Sequence, residues 1–351
     1  MVFWVCAFSC SAKDTKDLIH YKVYNPTESS VIHVLTVDPK QVKIVAMRAQ
    51  DIGESLVTVS NLAQKNEALA AINGGYFRID PQTTGYGVPA GVLKINNIWH
   101  GIAYKTRGAI AWEPSSGKAL IDVIQTQSQL LLQNKPWPIN AMNKLVPGNQ
   151  TTLLSDSYKD PIRLVNSVGI LILDQRVLGV YDTGTISVPA DAYFYKLGAS
   201  FHAKFKTLHI GDAAIINIQI KPKRDPKAAK QWNKMPFVVG GGPLLIMKGK
   251  KNNDFAVEKL DPDFINSRHA RTAIGILPDK RWVFVVAERS LLEDINGVSI
   301  PELRDFMHSL GCEYAVNLDG GSSSAMYVEN HKYGSIMDQP VADAVLILPR
   351  D

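Results

Sequence analysis

The chain has 351 residues, enough for a substantial core, and is 46% hydrophobic and 20% charged, as expected of a folded globular protein. Its net charge of +5 is mild, and the excess gathers between Lys221 and Lys234, a proline-broken run without interleaved aromatics. That run reads as a solvated surface loop and argues against nucleic-acid binding. Cys6, Cys10 and Cys312 have neither zinc spacing nor a disulfide pattern, so no metal or other cofactor is expected, and Cys312 reads as a small core residue.

At the N-terminus, the apolar run Val2 to Phe8 is followed by Ser9-Cys10-Ser11-Ala12, with charge beginning at Lys13. It resembles the end of a secretory signal whose basic start is missing. Residues 1–20 are therefore expected to be the remnant of a signal or of a lipoprotein anchor on Cys10, although Phe8 suits a lipid-attachment motif poorly. An exported protein follows from this: periplasmic, envelope-associated or secreted. A frayed apolar terminus is the alternative. No later stretch approaches the roughly 18 apolar residues of a transmembrane span.

Ile19–Val23, Val31–Val37 and Val42–Met47 are rich in β-branched residues and read as strands. Thr58 or Ser60 caps a helix running to about Ala70, and the short apolar strand Ala70-Ala71-Ile72 ends in Asn73-Gly74-Gly75-Tyr76-Phe77. Asn96-Asn97 turns a hairpin between Gly91–Ile95 and Ile98–His100. Strands follow at Ala109–Trp112 and Ala119–Ile124. Residues 125–161, rich in Asn, Pro and Ser, read as a long irregular excursion without a domain boundary. Val168–Leu173 and Arg176–Val180 form another hairpin, and Asp191–Lys196 and Ala213–Ile220 continue the β pattern.

Phe237-Val238-Val239 leads into Gly240-Gly241-Gly242-Pro243 and a further strand, Leu244-Leu245-Ile246. Two arginines then enter an apolar strand, Arg268-His269-Ala270-Arg271-Thr272-Ala273-Ile274, where alternation puts Arg271 and Ala273 on one face and Thr272 and Ile274 on the other. Trp282–Ala287 delivers Glu288 at its end. A buried arginine wants an anionic partner. The structural alternative to a ligand is a salt bridge from Arg271 to Glu288 or Asp319. His269 reads as a surface or structural histidine.

Ser299-Ile300-Pro301-Glu302 is a capping box, and Leu303, Phe306, Met307 and Leu310 share one helical face before the stop at Gly311. The strand Tyr314–Leu318 then delivers Asp319-Gly320-Gly321-Ser322-Ser323-Ser324 and a second strand, Ala325–Val328. Helix, short strand, polar residue and glycine pair thus occur twice, near 60–77 and near 300–321, a possible internal pseudo-repeat in which Asn73 occupies the place of Asp319. Each of the three glycine clusters ends a strand and can bring bare backbone close to a ligand. Together they point to one shared pocket, although any one of them is explained by a turn.

In this order, Ile72 to Phe77, Val188-Pro189-Ala190-Asp191, Gly240 to Leu245, Arg271 to Gly275, Asn317 to Met326 and Pro340-Val341-Ala342 resemble the phosphodiester glycosidase family over nearly the whole chain. Two positions depart from it. Ala287-Glu288-Arg289 stands where the family commonly has Asp-Gly-Arg, and Ser322 where it usually has a third glycine. The resemblance implies hydrolysis of a sugar C1–O–phosphate bond in a phosphorylated glycan or other glycosyl phosphodiester. On that reading Asp319 is nucleophile or base, Glu288 a second carboxylate and Arg271 the phosphate clamp, with Arg268 a weaker candidate. Asn73 hydrogen-bonds a sugar hydroxyl or N-acetyl group, and Thr272 and Tyr76 line the pocket, with core packing the equal alternative for Tyr76. The amides of Gly74, Gly75, Gly241 and Gly242, the Gly320-Gly321 turn and the hydroxyls of Ser323 and Ser324 share the negative charge.

The fold expected is α+β: one domain over residues 21–351, with a mixed, largely antiparallel, strand-rich core and a few flanking helices. Two other functions compete: a non-catalytic phosphoglycan or cell-envelope binding module, and a metal-dependent phosphodiesterase with Asp319, Glu288 and Asp343 as oxygen ligands. A serine hydrolase built on Ser323 lacks the Gly-x-Ser-x-Gly elbow.

Overall fold

Asn96 and Asn97 both adopt left-handed backbone angles (φ 49° and 68°) and turn the chain between strands Leu93–Ile95 and Ile98–Gly101, the geometry that a two-residue hairpin demands. At Ser299 the capping box forms: the Ser299 hydroxyl accepts the Glu302 N–H at 3.3 Å, and the Glu302 carboxylate accepts the Ser299 N–H at 2.8 Å. The helix Ile300–Ser309 that follows buries Ile300, Leu303 and Met307, each contributing roughly 1.5–3 kcal/mol. Gly311, at φ 80°, stops it.

In this computed structural model, residues 18–79, 85–146, 150–198, 200, 205, 207–290, 292–335 and 337–350 are described. Cys6, Cys10 and most of the expected signal remnant lie outside them, while Ile19 already opens a strand, Ile19–Thr27. The architecture is α+β, strand-rich and largely antiparallel. A seven-stranded sheet runs in the order Ile19–Thr27, Ser30–Val37, Trp282–Ala287, Arg271–Ile276, Tyr314–Asn317, Leu244–Met247, Lys250–Lys251; it is called the Asp319 sheet below. The Asn73 sheet runs His331–Gly334, Ala325–Val328, Ala70–Asn73, Asp343–Pro349, Val42–Arg48. A third sheet contains Ala214–Pro222, Lys118–Leu132, Arg107–Glu113, Phe237–Gly240 and the Leu93–Gly101 hairpin.

These three sheets close on one core. Ile274, Phe284 and Val316 from the first meet Ile72, Met326 and Leu346 from the second and Ile110, Trp112 and Val239 from the third. The opposite face of the Asp319 sheet packs Ala273 and Val285 against Leu303 and Met307 of the helix and Cys312 of the connection that follows it. A fourth sheet, ordered Ala141–Met142, Thr152–Ser155, Tyr193–Gly198, Ser167–Leu173 and Arg176–Tyr181, holds a separate core with Leu130 and Leu132.

Three expectations need correction. The first helix is only Val59–Lys65, capped by Thr58; Glu67 takes a left-handed turn (φ 51°) and the chain is extended again by Ala70. Residues 125–161 are not irregular. Lys118–Leu132 is one fifteen-residue strand, and Lys135–Pro138, Ala141–Met142 and Thr152–Ser155 follow it. The exposed Gln125 and Gln127 alternate with the partly covered Thr126 and Ser128 where the strand pairs with Ala214–Pro222, so polarity masked a two-residue period. The basic run is not simply a loop: Ala229–Lys234 is a helix whose Trp232 is buried, and Asp122 fastens the N–H groups of Arg224 and Asp225.

Candidate active site

Each glycine cluster is a crossover between two of the three sheets. Residues 318–324 carry the chain from Tyr314–Asn317 in the Asp319 sheet to Ala325–Val328 in the Asn73 sheet. Gly241-Gly242-Pro243 connects Phe237–Gly240 of the third sheet to Leu244–Met247 of the Asp319 sheet. Gly74-Gly75-Tyr76 leaves Ala70–Asn73 in the direction of Leu93 in the third sheet.

Two of the crossovers, 318–324 and Gly74-Gly75-Tyr76, meet at Asn73. Its Nδ2 donates to the Asp319 carbonyl at 2.9 Å, and its Oδ1 accepts from the Thr272 hydroxyl at 2.7 Å and the Ala325 N–H at 3.2 Å. The Asp319 N–H returns to the Gly74 carbonyl at 3.3 Å. Asn73 and Thr272, both buried and both expected to touch a sugar, thus brace the backbone that carries Asp319. Asn317, the last residue of its strand as Asn73 is of its own, does the same from the other side, donating to the Gly242 carbonyl at 2.8 Å beside the Tyr76 hydroxyl, which donates to the same carbonyl at 3.1 Å.

The glycines are there for backbone contact. A Cβ on Gly74 would lie 1.9 Å from Asp343 Oδ1, one on Gly75 2.8 Å from the Gly240 carbonyl oxygen, and one on Gly241 2.2 Å from that of Asn317. Their amides are already used. Gly74 and Gly75 donate to the Asp343 carbonyl and carboxylate, Gly241 to the Gly108 carbonyl and Gly242 to the Asn317 carbonyl. The expectation that these four N–H groups cradle an anion is therefore replaced by one in which they hold the crossovers together.

Asp319 stands at the meeting point. Burial of its carboxyl pushes it up to about 7, against the opposing pull of the Gly320 N–H at 2.9 Å and the Ser323 hydroxyl. Gly321 turns at φ 63° and donates to the Ala270 carbonyl, and the buried Ser324 hydroxyl has no partner among the described residues. Asp343, at the head of Asp343–Pro349, is a second buried carboxyl. It too is pushed up to about 7, by burial first and by the Asp319 charge as well, with the Gly75 N–H opposing; its Oδ2 has no partner among the described residues. Sequence reasoning placed Asp343 only as a metal ligand. Its signal as part of this junction was the one that exposed Asp319: a carboxylate at the edge of an apolar strand.

Arg271 is fully buried, with its side chain beside Gly320. Neither expected salt bridge forms. Nη2 donates to the carbonyls of Phe264 (2.7 Å) and Ser267 (2.9 Å), Nε to that of Val298 (3.3 Å), and the guanidinium lies 4.6 Å from the Phe264 ring centre. Burial lowers it to about 10, where it is still charged at neutral pH. The alternation along Arg271–Ile276 explains the arrangement: Thr272 faces the Asn73 sheet, and Arg271 faces the helix side.

Glu288 and Arg268 sit elsewhere. Glu288 lies 2.9 Å from His33 Nε2 and accepts the Gly334 N–H at 3.3 Å. Burial would raise it, but His33 and that amide outweigh the effect and hold it below the usual range. Arg268 reaches Ser30, the Gly297 carbonyl and Glu302. Among the described residues no three His, Cys, Asp or Glu side chains are grouped to hold a metal ion, so Asp319, Glu288 and Asp343 do not form such a set. Nor is any described helix long and apolar enough to cross a membrane.

Beside the junction opens a cleft of about 760 Å³. Asp319 and Arg271 do not line it, but Tyr76, Gly240, Gly241 and Phe264, which touch the junction, form part of its wall.

The sequence matches no curated protein. Two solved structures share the fold. A hypothetical protein from Synechocystis superposes with a TM-score of 0.78 at 19% identity, covering 95% of this chain and 62% of that one. A candidate exported protein from Burkholderia pseudomallei gives 0.73 at 20% identity, covering 91% of this chain and 74% of that one. The chain thus spans less than two thirds of the Synechocystis protein. The zebrafish N-acetylglucosamine-1-phosphodiester alpha-N-acetylglucosaminidase catalytic domain, auto-inhibited by its pro-peptide, reaches a TM-score of only 0.48 at 12% identity, covering 95% of this chain and 82% of that one, a likeness too loose to assign anything. A family model described as phosphodiester glycosidase matches residues 176–348, which include Arg271, Asp319 and Asp343. Over that span the chain is similar to the phosphodiester glycosidase family.

Proposed function

We propose that this chain is a hydrolase that cleaves the sugar C1–O bond of a glycosyl-1-phosphodiester, with Asp319 as its catalytic carboxylate. The observation that carries the reading is a carboxyl pushed up to about 7 by burial, on a residue that is itself only half-buried, and held in one orientation by Gly320 and Ser323 at the point where three sheets meet. The departing group is a phosphate monoester, far more acidic than an alcohol. Strong protonation of the leaving oxygen is unnecessary, so one carboxylate and a source of positive charge suffice. Asp319 attacks C1, or takes the proton of the water that does. Arg271, with Nη1 left over from its carbonyl contacts, supplies the charge that holds the phosphate. Asn73 and Thr272 act as positioning residues. Glu288, occupied by His33, has no part in the chemistry on this reading.

The substrate class is a phosphorylated glycan met outside the cytoplasm. The apolar run Val2 to Phe8 and the naming of the Burkholderia fold neighbour support export. Hydrolysis in ¹⁸O-labelled water tests the reaction: label is expected in the sugar, and label in the phosphate would mean P–O cleavage and end the proposal. Because Asp319 works as the carboxylate, kcat/KM should rise with pH through about 7 and then level. A falling limb there would make Asp319 an acid instead.

A further inference from the structure

The cleft beside the junction carries far more positive charge than one phosphodiester requires. Lys105, Arg107, Lys144 and Lys259 line it together with Arg78, which reaches the Asn143 carbonyl at 3.4 Å. The one carboxylate in the lining, Asp261, is engaged as a helix cap, accepting the Asp263 N–H at 2.9 Å. Among the described residues, none of Lys105, Arg107, Lys144 or Lys259 has a carboxylate at ion-pair distance. These cations come from four separate stretches of chain, so the cluster is made by the fold and not by a basic run. The wall between them is apolar and aromatic: Val92, Tyr76, Tyr104, Leu260 and Phe264. Low-dielectric walls focus such a field into the cleft and raise the local concentration of anions. At about 760 Å³ the space is that of a whole ligand, not of a single phosphate.

Resting on the hydrolase reading above, we infer that the cleft is the aglycone subsite and that the aglycone bears further phosphate groups. The scissile phosphate is matched by Arg271; Lys105, Lys144 and Lys259, which have no carboxylate at ion-pair distance among the described residues, are matched by a leaving chain with several negative charges. Clustered phosphate can come from a chain of phosphodiester-linked units or from a diphosphate. Tyr76, Gly240 and Gly241 are shared by cleft and junction and would lie between the sugar and the charged tail.

The test uses the full chain and four synthetic glycosyl-1-phosphodiesters: a methyl ester, an aglycone with two further phosphodiester links, a neutral aglycone of equal length, and an aglycone carrying a diphosphate. Wild type should show a KM at least tenfold lower for a multi-phosphate substrate than for the neutral one, with the advantage shrinking as salt rises. Lys105→Ala, Lys144→Ala and Lys259→Ala should each raise that KM about two- to fivefold, and the triple variant by more than tenfold, leaving kcat/KM for the methyl ester unchanged. Preference for the chained or the diphosphate aglycone identifies the source. Equal KM values for charged and neutral aglycones, or a triple variant impaired equally on all four, would overturn the inference while leaving the hydrolase reading intact. Should wild type cleave none of the four, the hydrolase reading falls. Equilibrium binding of the two-link substrate then decides the cleft: salt-sensitive binding lost in the triple variant sustains it, and no such binding overturns it.

Discussion

Asp319→Asn separates the demands of chemistry from those of folding. In the unfolded chain the carboxyl loses its proton near 3.8, whereas in the fold it keeps it to about 7. The folded state therefore binds the extra proton between these values, and the stability this contributes is full below about pH 4 and lost as pH rises through 7. Three pH units correspond to roughly 4 kcal/mol. Asparagine never ionises, and its Oδ1 still accepts the Gly320 N–H, so the variant escapes the loss. The Asp319 charge also raises Asp343, so removing it relieves a second buried acid in the same direction. Wild type and variant should unfold alike at pH 4, and at pH 8 the variant should be more stable by up to roughly 4 kcal/mol. At about 2.1 cal/mol/K of unfolding entropy per residue, 351 residues turn that into a Tm gain of about 5 °C. Turnover on a glycosyl phosphodiester should fall by about 10²–10⁴-fold in the same protein. Urea or thermal unfolding from pH 4 to 8 reads the first quantity. Parallel stability profiles for the two proteins would show that Asp319 is not held at a raised pKa, and the case for its role would fail with that.

Gly241→Ala places a methyl 2.2 Å from the Asn317 carbonyl oxygen, a main-chain atom unable to step aside, and should cost about 1–3 kcal/mol or more in urea unfolding. Gly91→Ala, which meets nothing within 4 Å, should be near neutral in the same assay. Arg271→Ala strips the Nη2 donor from the carbonyls of Phe264 and Ser267, while that of Val298 keeps the His269 N–H; the cost is about 1–3 kcal/mol for a carbonyl left buried without a donor. Its first effect is thus lower stability, so phosphate binding must be read at a temperature well below the variant's Tm. Glu288→Gln removes a carboxylate whose lowered pKa contributes stability above the unfolded value and loses it as pH falls. The variant should be weaker by about 1–3 kcal/mol at pH 7 and indistinguishable well below pH 4, with turnover kept within about tenfold; a thousandfold loss of turnover would bring Glu288 into the chemistry.

Local signals in the sequence carried much of the fold. The Ser299 capping box, the Asn96-Asn97 turn and the β-branched runs each depend on neighbours in sequence, and each forms. The errors came where a tertiary partner overrides composition. The polar second half of Lys118–Leu132 is a strand because Ala214–Pro222 lies along it, and Trp232 draws a basic segment into a helix against the core. At the site, strand-end glycines and Asp319 were visible as a pattern, but what the glycines do was not. Free amides and amides already bonded to carbonyl or carboxylate oxygens 2.7–2.9 Å away look the same in one dimension. Arg271 was legible as a buried charge, yet its partners are backbone carbonyls, which no side-chain pattern announces. The cleft cations left no trace either, since residues 78, 105, 107, 144 and 259 have no common spacing.

The close contacts among the crossovers explain why a carboxyl is tolerated at this point. Gly75 presses on the Gly240 carbonyl, Gly241 on that of Asn317, and Asn73 holds that of Asp319 at hydrogen-bond distance. Each crossover is therefore fixed by another that belongs to a different pair of sheets, and none can relax to let water reach the acid more freely without disturbing a second. A surface loop carrying the same Asp-Gly-Gly would solvate its carboxylate and keep an ordinary pKa. Here the sheets hold the loop in place, and the energy of three shared hydrophobic faces opposes the desolvation of one acid. Asp343 is the companion effect: packed behind Gly74 and facing the same junction, it cannot ionise without raising the cost of ionising Asp319. Near neutrality the two acids compete for one negative charge, and Asp319, less buried and held by both Gly320 and Ser323, is the better placed to carry it.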